Sequence, residues 1–135
     1  MRKMFVKIAM LSLVAIFVLT SCGGGGGGSK MAPLGNDFTF GLLLVGPKND
    51  HGWSQAHYDA ALYLQGKIPG AKMLYLENVY SGSPAYPGLT TSQLAQQLVD
   101  QGAKLVIFNS DDMKDEATKF AQAHPDVYVI MASGD

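Results

Sequence analysis

Phe38-Thr39-Phe40-Gly41-Leu42-Leu43-Leu44-Val45, followed by Gly46-Pro47-Lys48-Asn49-Asp50-His51-Gly52-Trp53-Ser54-Gln55, is the stretch on which the fold turns. Its first eight residues are almost continuously apolar, the pattern of a strand buried on both faces rather than one with a wet side. Gly46-Pro47 ends that strand. A helix is predicted from Trp53 to about Gln65, because Ala56, Ala60, Ala61 and Leu64 recur at helical spacing; Gly66 and Pro69-Gly70 stop it.

The alternation continues downstream. Residues 71–79 (AKMLYLENV) read as a second strand, and residues 80–89 (YSGSPAYPGL), with two prolines and two glycines, as a surface loop able to reach a ligand. Thr91 or Ser92 is expected to cap a second helix, whose Leu94, Ala95, Leu98 and Val99 form one apolar stripe ending at Gly102. Residues 104–108 (KLVIF) read as a third strand. Asp111 or Asp112 is expected to open a third helix with Ala117, Phe120 and Ala121 inward, closed by His124-Pro125, before a fourth strand over residues 127–132. Short apolar strands alternating with helices imply an α/β class, a doubly wound parallel sheet with right-handed crossovers. For the strand order 2-1-3-4, the first helix lies on one face of the sheet and the other two on the opposite face.

Upstream, the composition changes character. Arg2, Lys3 and Lys7 precede the apolar run Ile8 to Leu19, which is interrupted only by Ser12 and is too short to span a bilayer comfortably. That is the layout of an export signal over residues 1–21. It ends in Leu19-Thr20-Ser21-Cys22, which looks like a bacterial lipobox, so Cys22 is expected to carry a lipid. Two or three acyl chains anchor a protein stably where one would let it dissociate. Gly23 to Gly28 and Ser29 begin a tether that runs to Asn36, with an end-to-end distance of roughly 20 Å by the scaling for Gly-rich coils. The remaining domain, residues 37–135, is expected to stand outside the cell membrane or in a periplasm, held there by that anchor.

The chain has 135 residues, 47% of them hydrophobic, with ten Lys and Arg against eleven Asp and Glu and a single cysteine. It is one domain at most, has no cysteine pair to bridge, and carries no basic stripe with interleaved aromatics, so nucleic acid is not an expected partner. Loss of Arg2, Lys3 and Lys7 with the leader leaves seven basic residues against eleven acidic ones, a net charge of -4. The glycine run matches G-x-G-x-x-G trivially but follows no strand, which removes the dinucleotide reading, and no other cofactor pattern is present. His51 and His57 lie six apart, not the three or four that put two ligands on one helical face, so no metal is expected.

Ligands of open parallel sheets bind beyond the carboxyl ends of the strands, where the strand order reverses. Three segments qualify: residues 46–55, residues 78–82, and Asn109-Ser110-Asp111-Asp112. The first places an acid, an aromatic and short polar groups at a helix start, a set suited to a flat heteroaromatic ligand. Trp53 could equally be a core residue at the head of the helix, and Asp50 is also placed to cap it.

The segments GLLLVGPKNDHGWSQAHYDA, LAQQLVDQGAKLVIFNS and AQAHPDVYVIMASGD, in that order, resemble the N-terminal lobe of the basic membrane protein family over about residues 38 to 135. Its members are lipoprotein substrate-binding proteins of ABC transporters, similar to the purine-nucleoside receptor type, with a periplasmic-binding-protein type I fold of two lobes that close on a ligand. The resemblance implies Asp50, Trp53, Ser54 and Gln55 as ligand-binding residues, Trp53 stacking on a purine and Asp50 accepting a hydrogen bond. Asn49 of the same loop, and Asn109, Ser110 and Asp111 after the third strand, join them as candidates by their place at the predicted crevice. Trp53 stands where many members have phenylalanine and Ser54 where many have asparagine, which leaves nucleobase against nucleoside open. The implied partners are the purine ligand, a transporter permease and the membrane. The alternatives are a ligand-sensing lipoprotein of the same fold, or a small enzyme using Asp50 with His51 or His57. A two-lobed receptor needs a second lobe and a hinge, so the chain is expected to be an N-terminal fragment, with apolar side chains of the third and fourth strands uncovered on the face of the first helix and only weak binding by half a cleft.

Overall fold

A computed structural model describes residues 34, 35 and 37–133. The export signal, Cys22 and most of the glycine tether lie outside the described residues.

The described chain is an α/β unit with a four-stranded parallel sheet and three helices. In chain order the elements are β1 (Thr39–Leu43), α1 (Trp53–Lys67), β2 (Lys72–Leu76), α2 (Thr91–Asp100), β3 (Ala103–Phe108), a short 3-10 turn (Asp111–Met113), α3 (Lys114–Ala123) and β4 (Tyr128–Met131). The sheet order is β2-β1-β3-β4 with every pair parallel, so the order reverses between β1 and β3.

Alternate residues of β1 feed two cores. Phe40, Leu42 and Leu44 pack with Ala61, Tyr58 and Leu64 of α1 and with Met73, Tyr75, Leu105 and Ile107 of the flanking strands. Leu43 packs on the other face with Leu94, Ala95 and Leu98 of α2, Ala117 and Phe120 of α3, and Val106 and Phe108 of β3. This is the two-sided burial implied by the apolar run at residues 38–45. Gly41 points to the second face, where Leu98 sits directly upon it: a Cβ built there would lie 2.8 Å from Leu98 Cδ1 and 3.1 Å from its Cβ. The missing side chain lets α2 approach the sheet.

Several ends differ from the sequence expectation. α2 is capped by Thr90, whose hydroxyl accepts from the Gln93 amide while the Gln93 side chain accepts from the Thr90 amide, a reciprocal box; Thr91 is already helical and buried, and Ser92 donates instead to the Glu116 carbonyl. Asp111 and Asp112 do not open α3. They form the 3-10 turn, and α3 begins at Lys114. On the α1 face of the outer strands, Leu105, Ile107 and Tyr128 are half-buried and Ile130 is 44% exposed, so that face is open chiefly over β4.

The Gly41–Leu98 contact yields a test. Gly41→Ala overpacks the α2 interface and is expected to cost roughly 1–3 kcal/mol. Urea unfolding of Gly41→Ala, Leu98→Ala and the double variant should show a double-variant loss smaller than the two single losses combined, because removing Leu98 makes room for the new methyl. Additive losses would refute the contact.

Candidate functional site

The loops after β1, β2 and β3 meet at the carboxyl end of the sheet. The β1–α1 loop is built around Asp50. Its Oδ1 accepts from the amides of Gly52 (2.8 Å) and Gln55 (3.0 Å), and its Oδ2 accepts from the amide of Ser54 (3.0 Å). These are donors that a helix start leaves without intrahelical partners. The same bonds, led by those from Gln55 and Ser54, hold the carboxyl below the ordinary aspartate range. His51 adopts the left-handed region (φ 56°), and its amide donates to Gln55 Oε1 at 3.1 Å.

Ser54 is fully buried, and its Oγ accepts from the Gly46 amide at 2.9 Å. The expected ligand contact is therefore a loop anchor: the hydroxyl is spent inside the protein. Gly46 leaves this bond relaxed: a Cβ on it would lie 3.1 Å from Ser54 Oγ, so the buried hydroxyl would have to give by a few tenths of an ångström. Lys48 ties the same loop to the end of β2. Its amide donates to Glu77 Oε1 (2.7 Å), and its Nζ donates to Tyr75 Oη (2.7 Å) and lies 3.5 Å from Glu77 Oε2. The Tyr75 hydroxyl first, and Glu77 after it, raise the lysine above its ordinary value.

Trp53 is the first residue of α1 and is 50% exposed, not sunk among aliphatic neighbours. Its Nε1 donates to the Asn109 carbonyl at 2.6 Å, joining the loop after β1 to the end of β3. His57, one turn on, donates from Nδ1 to the Trp53 carbonyl at 2.8 Å, and its ring centroid lies 4.6 Å from the indole. The sequence offered His57 only as the partner of Asp50 in the enzyme alternative. It is half-buried and braces the indole, a contact set by the helical i,i+4 spacing.

Asn109 is fully buried. Its amide donates to Leu43 O (3.2 Å) and its Oδ1 accepts from the Val45 amide (2.9 Å). Its Nδ2 is the one buried side-chain polar atom among the described residues without a hydrogen-bond partner. Ser110, also buried, accepts from the Asp112 amide and donates to Asp111 Oδ1. Asn109 and Ser110 thus hold backbone, whereas Asn49, Trp53 and Asp111 face solvent and Gln55 is half-buried.

Beyond the carboxyl ends of β1, β2 and β3 lies an open cleft of about 400 Å³, lined by Val45, Tyr80, Ser81 and Asp112. Residues 78–82 were expected at this crevice, but the individual roles of Tyr80, Ser81 and Asp112 were not read from the sequence. The loop that presents Tyr80 and Ser81 is internally bonded. The Val79 amide donates to Leu44 O, buried Ser83 donates from Oγ to Asn78 O (2.6 Å), and successive turns link residues 80, 83, 86 and 89. Among the described residues no helix is long and apolar enough to cross a membrane.

No family model matches the sequence, and a search of curated proteins finds no match. Among solved structures the chain is similar to a solute-binding protein of an ABC transporter system from Conexibacter woesei, with a TM-score of 0.59 and 22% identity over 73% of this chain. The match spans 30% of that protein's length. The likeness is one of fold, and it agrees with the α/β class expected from the sequence.

The capped loop yields a pH test. Because the folded Asp50 pKa is lowered, its stabilisation is complete above the unfolded aspartate value of about 4 and is lost as pH falls through the folded value. Trp53 is the only tryptophan, so its emission should change in acid as the loop loosens, and Asp50→Asn should abolish that step while leaving the far-ultraviolet spectrum intact at pH 7. An unchanged step in Asp50→Asn would assign it elsewhere.

Proposed function

We propose that the chain is an N-terminal lobe of a lipid-anchored, extracytoplasmic solute-binding protein of an ABC importer, and that its ligand is a purine nucleoside or nucleobase stacked on Trp53. The observation that carries this reading is the half-exposed indole at the reversal of strand order, its N–H already consumed by Asn109. Such an indole offers a ligand its π surface rather than a donor, which favours a flat heteroaromatic. Asn49, Gln55 and Asp111 supply polar contacts around it; Asp50, Ser54, Asn109 and Ser110 hold the loops that present it. The fold likeness to a solute-binding protein supports the same class.

Binding is favoured over catalysis by the state of Asp50. A carboxylate that accepts from three backbone amides and is held below its ordinary pKa is poorly suited to general acid or base work near neutrality. His57, whose ring centroid lies 4.6 Å from the indole, has its Nδ1 committed to a carbonyl.

Two measurements test the reading. Titration of the chain with millimolar adenosine, inosine and adenine should move the single indole Nε1–H NMR signal, and calorimetry should show the heat of binding lost in Trp53→Ala. Equal effects from glucose, or an unaffected Trp53→Ala, would overturn the purine assignment. For the anchor, Cys22→Ser should shift the protein expressed in a bacterial host from the membrane fraction to the soluble extracytoplasmic fraction and abolish incorporation of labelled palmitate; retained label would refute a lipid on Cys22.

A further inference from the structure

The end of the sheet opposite the crevice carries a different surface. α1 runs from Trp53 at the carboxyl end of the strands to Lys67 at their amino end, a length of about 20 Å at the helical rise. β1 starts at Thr39, whose neighbours in the sheet are Lys72 of β2 and Ala103 of β3. The chain therefore enters the sheet between Lys72 and Lys104, both exposed, on strands about 10 Å apart. Lys67, also exposed, ends α1 shortly before β2, and its Nζ lies 5.3 Å from the Tyr63 ring centroid. Tyr63 is the most exposed of the large apolar side chains at 68%, and Leu62 beside it is exposed at 41%. Among the described residues no carboxylate pairs with Lys67, Lys72 or Lys104.

Charge is divided unevenly along the strand axis. At the carboxyl end Asp50, Glu77, Asp111, Asp112, Asp115 and Glu116 outnumber Lys48 and Lys114, whereas at the amino end the three lysines balance Asp37, Asp100 and Asp126. Two of those acids stand apart from the lysines. Asp100 closes α2 on the other face of the sheet from α1 and accepts from Gln96 Nε2 at 2.8 Å, and Asp126 leads into β4 at the far edge. An anionic surface thus attracts the lysine corner and repels the crevice end. Lysines beside an exposed tyrosine and leucine are the set that suits the headgroup layer of a bilayer, the ammonium groups meeting lipid phosphates and the ring the acyl boundary. The tether points to the same partner. Lys30 adds a positive charge on the segment before β1, and the roughly 20 Å reach of that segment from Cys22 keeps this end of the sheet next to the bilayer that holds the lipid.

We propose that this corner is a docking surface for an anionic bilayer. Lys67, Lys72 and Lys104 hold the amino end of the sheet against lipid phosphates, Tyr63 enters the headgroup layer, and the crevice at Trp53 is turned outward. The proposal rests on the lipid-anchor reading of Cys22 and is independent of the ligand.

The test uses the chain isolated from the membranes of a bacterial host, its mass reporting the lipid on Cys22, placed on lipid nanodiscs that carry a paramagnetic headgroup label. NMR signal broadening should be strong at the amides of Lys67, Lys72 and Lys104 and weak at the Trp53 Nε1–H. That contrast should be at least about tenfold greater on discs containing phosphatidylglycerol than on neutral phosphatidylcholine discs, the scale of three lysines at a charged surface. Salt at about 1 M, where the Debye length falls to about 3 Å, should remove the gain. The combined variant Lys67→Gln, Lys72→Gln and Lys104→Gln should remove it as well, and Tyr63→Ser should reduce it; the salt series keeps the test independent of how the variants fold. Equal contrast on both kinds of disc, or a gain that survives high salt or the loss of the three lysines, would overturn the docking surface while leaving the anchor standing. A chain without lipid on Cys22 would instead overturn the anchor reading, and this arrangement with it.

Discussion

The seam between β1 and β3 depends on one buried amide. Asn109 takes the Val45 N–H on its side-chain oxygen, gives its own N–H to Leu43 and offers its carbonyl to the Trp53 indole. An apolar residue at this position would leave the Val45 N–H without its partner, and stranding a buried donor costs about 1–3 kcal/mol. The reversal of strand order sends neighbouring loops to opposite faces and opens the crevice, and the buried Asn109 fastens its two sides. Its unpartnered Nδ2 is the remaining cost of that arrangement.

Around this seam the charged groups act mainly as fasteners. Asp50 gathers three amides at the start of α1, Lys48 and Glu77 stitch the same loop to β2, and Ser54 locks Gly46 from within. Each removes freedom from the loop before any ligand arrives, which is how a binding site lowers the entropic cost of association. Of the side chains left toward solvent the indole is the largest. This division between residues that hold the loops and residues left toward solvent supports the receptor reading proposed above, since an enzyme's acid or base has to be free to exchange a proton.

Much of the architecture was legible because it rests on local pattern. The continuous apolar run at residues 38–45 announced a strand buried on both faces, and helical spacing of apolar residues announced α1, α2 and α3. The ends were less legible where the sequence offers several equivalent residues: Thr90, Thr91 and Ser92 can all cap a helix, and only the backbone path selects Thr90. Asp111 and Asp112 were read as a helix start because acids favour one, yet Ser110 draws them into a separate turn. At the site, Asp50 and Trp53 stood out by type and position. Ser54 and Asn109 could be placed near the crevice but not on one side or the other of its surface, because a short polar residue serves equally as a ligand contact or a backbone anchor until its burial is known. The bracing of Trp53 by His57 was present in their spacing, but the cleft at Tyr80, Ser81 and Asp112 joins two distant loops and has no local signature.

The central claim is that the indole of Trp53 is a platform for a purine. Intermolecular nuclear Overhauser effects between a bound purine and the protein test it directly. A stacked ligand gives cross-peaks from the purine H2 and H8 protons to the indole ring protons of Trp53. Cross-peaks confined to other aromatic residues, with none to the indole, would contradict it.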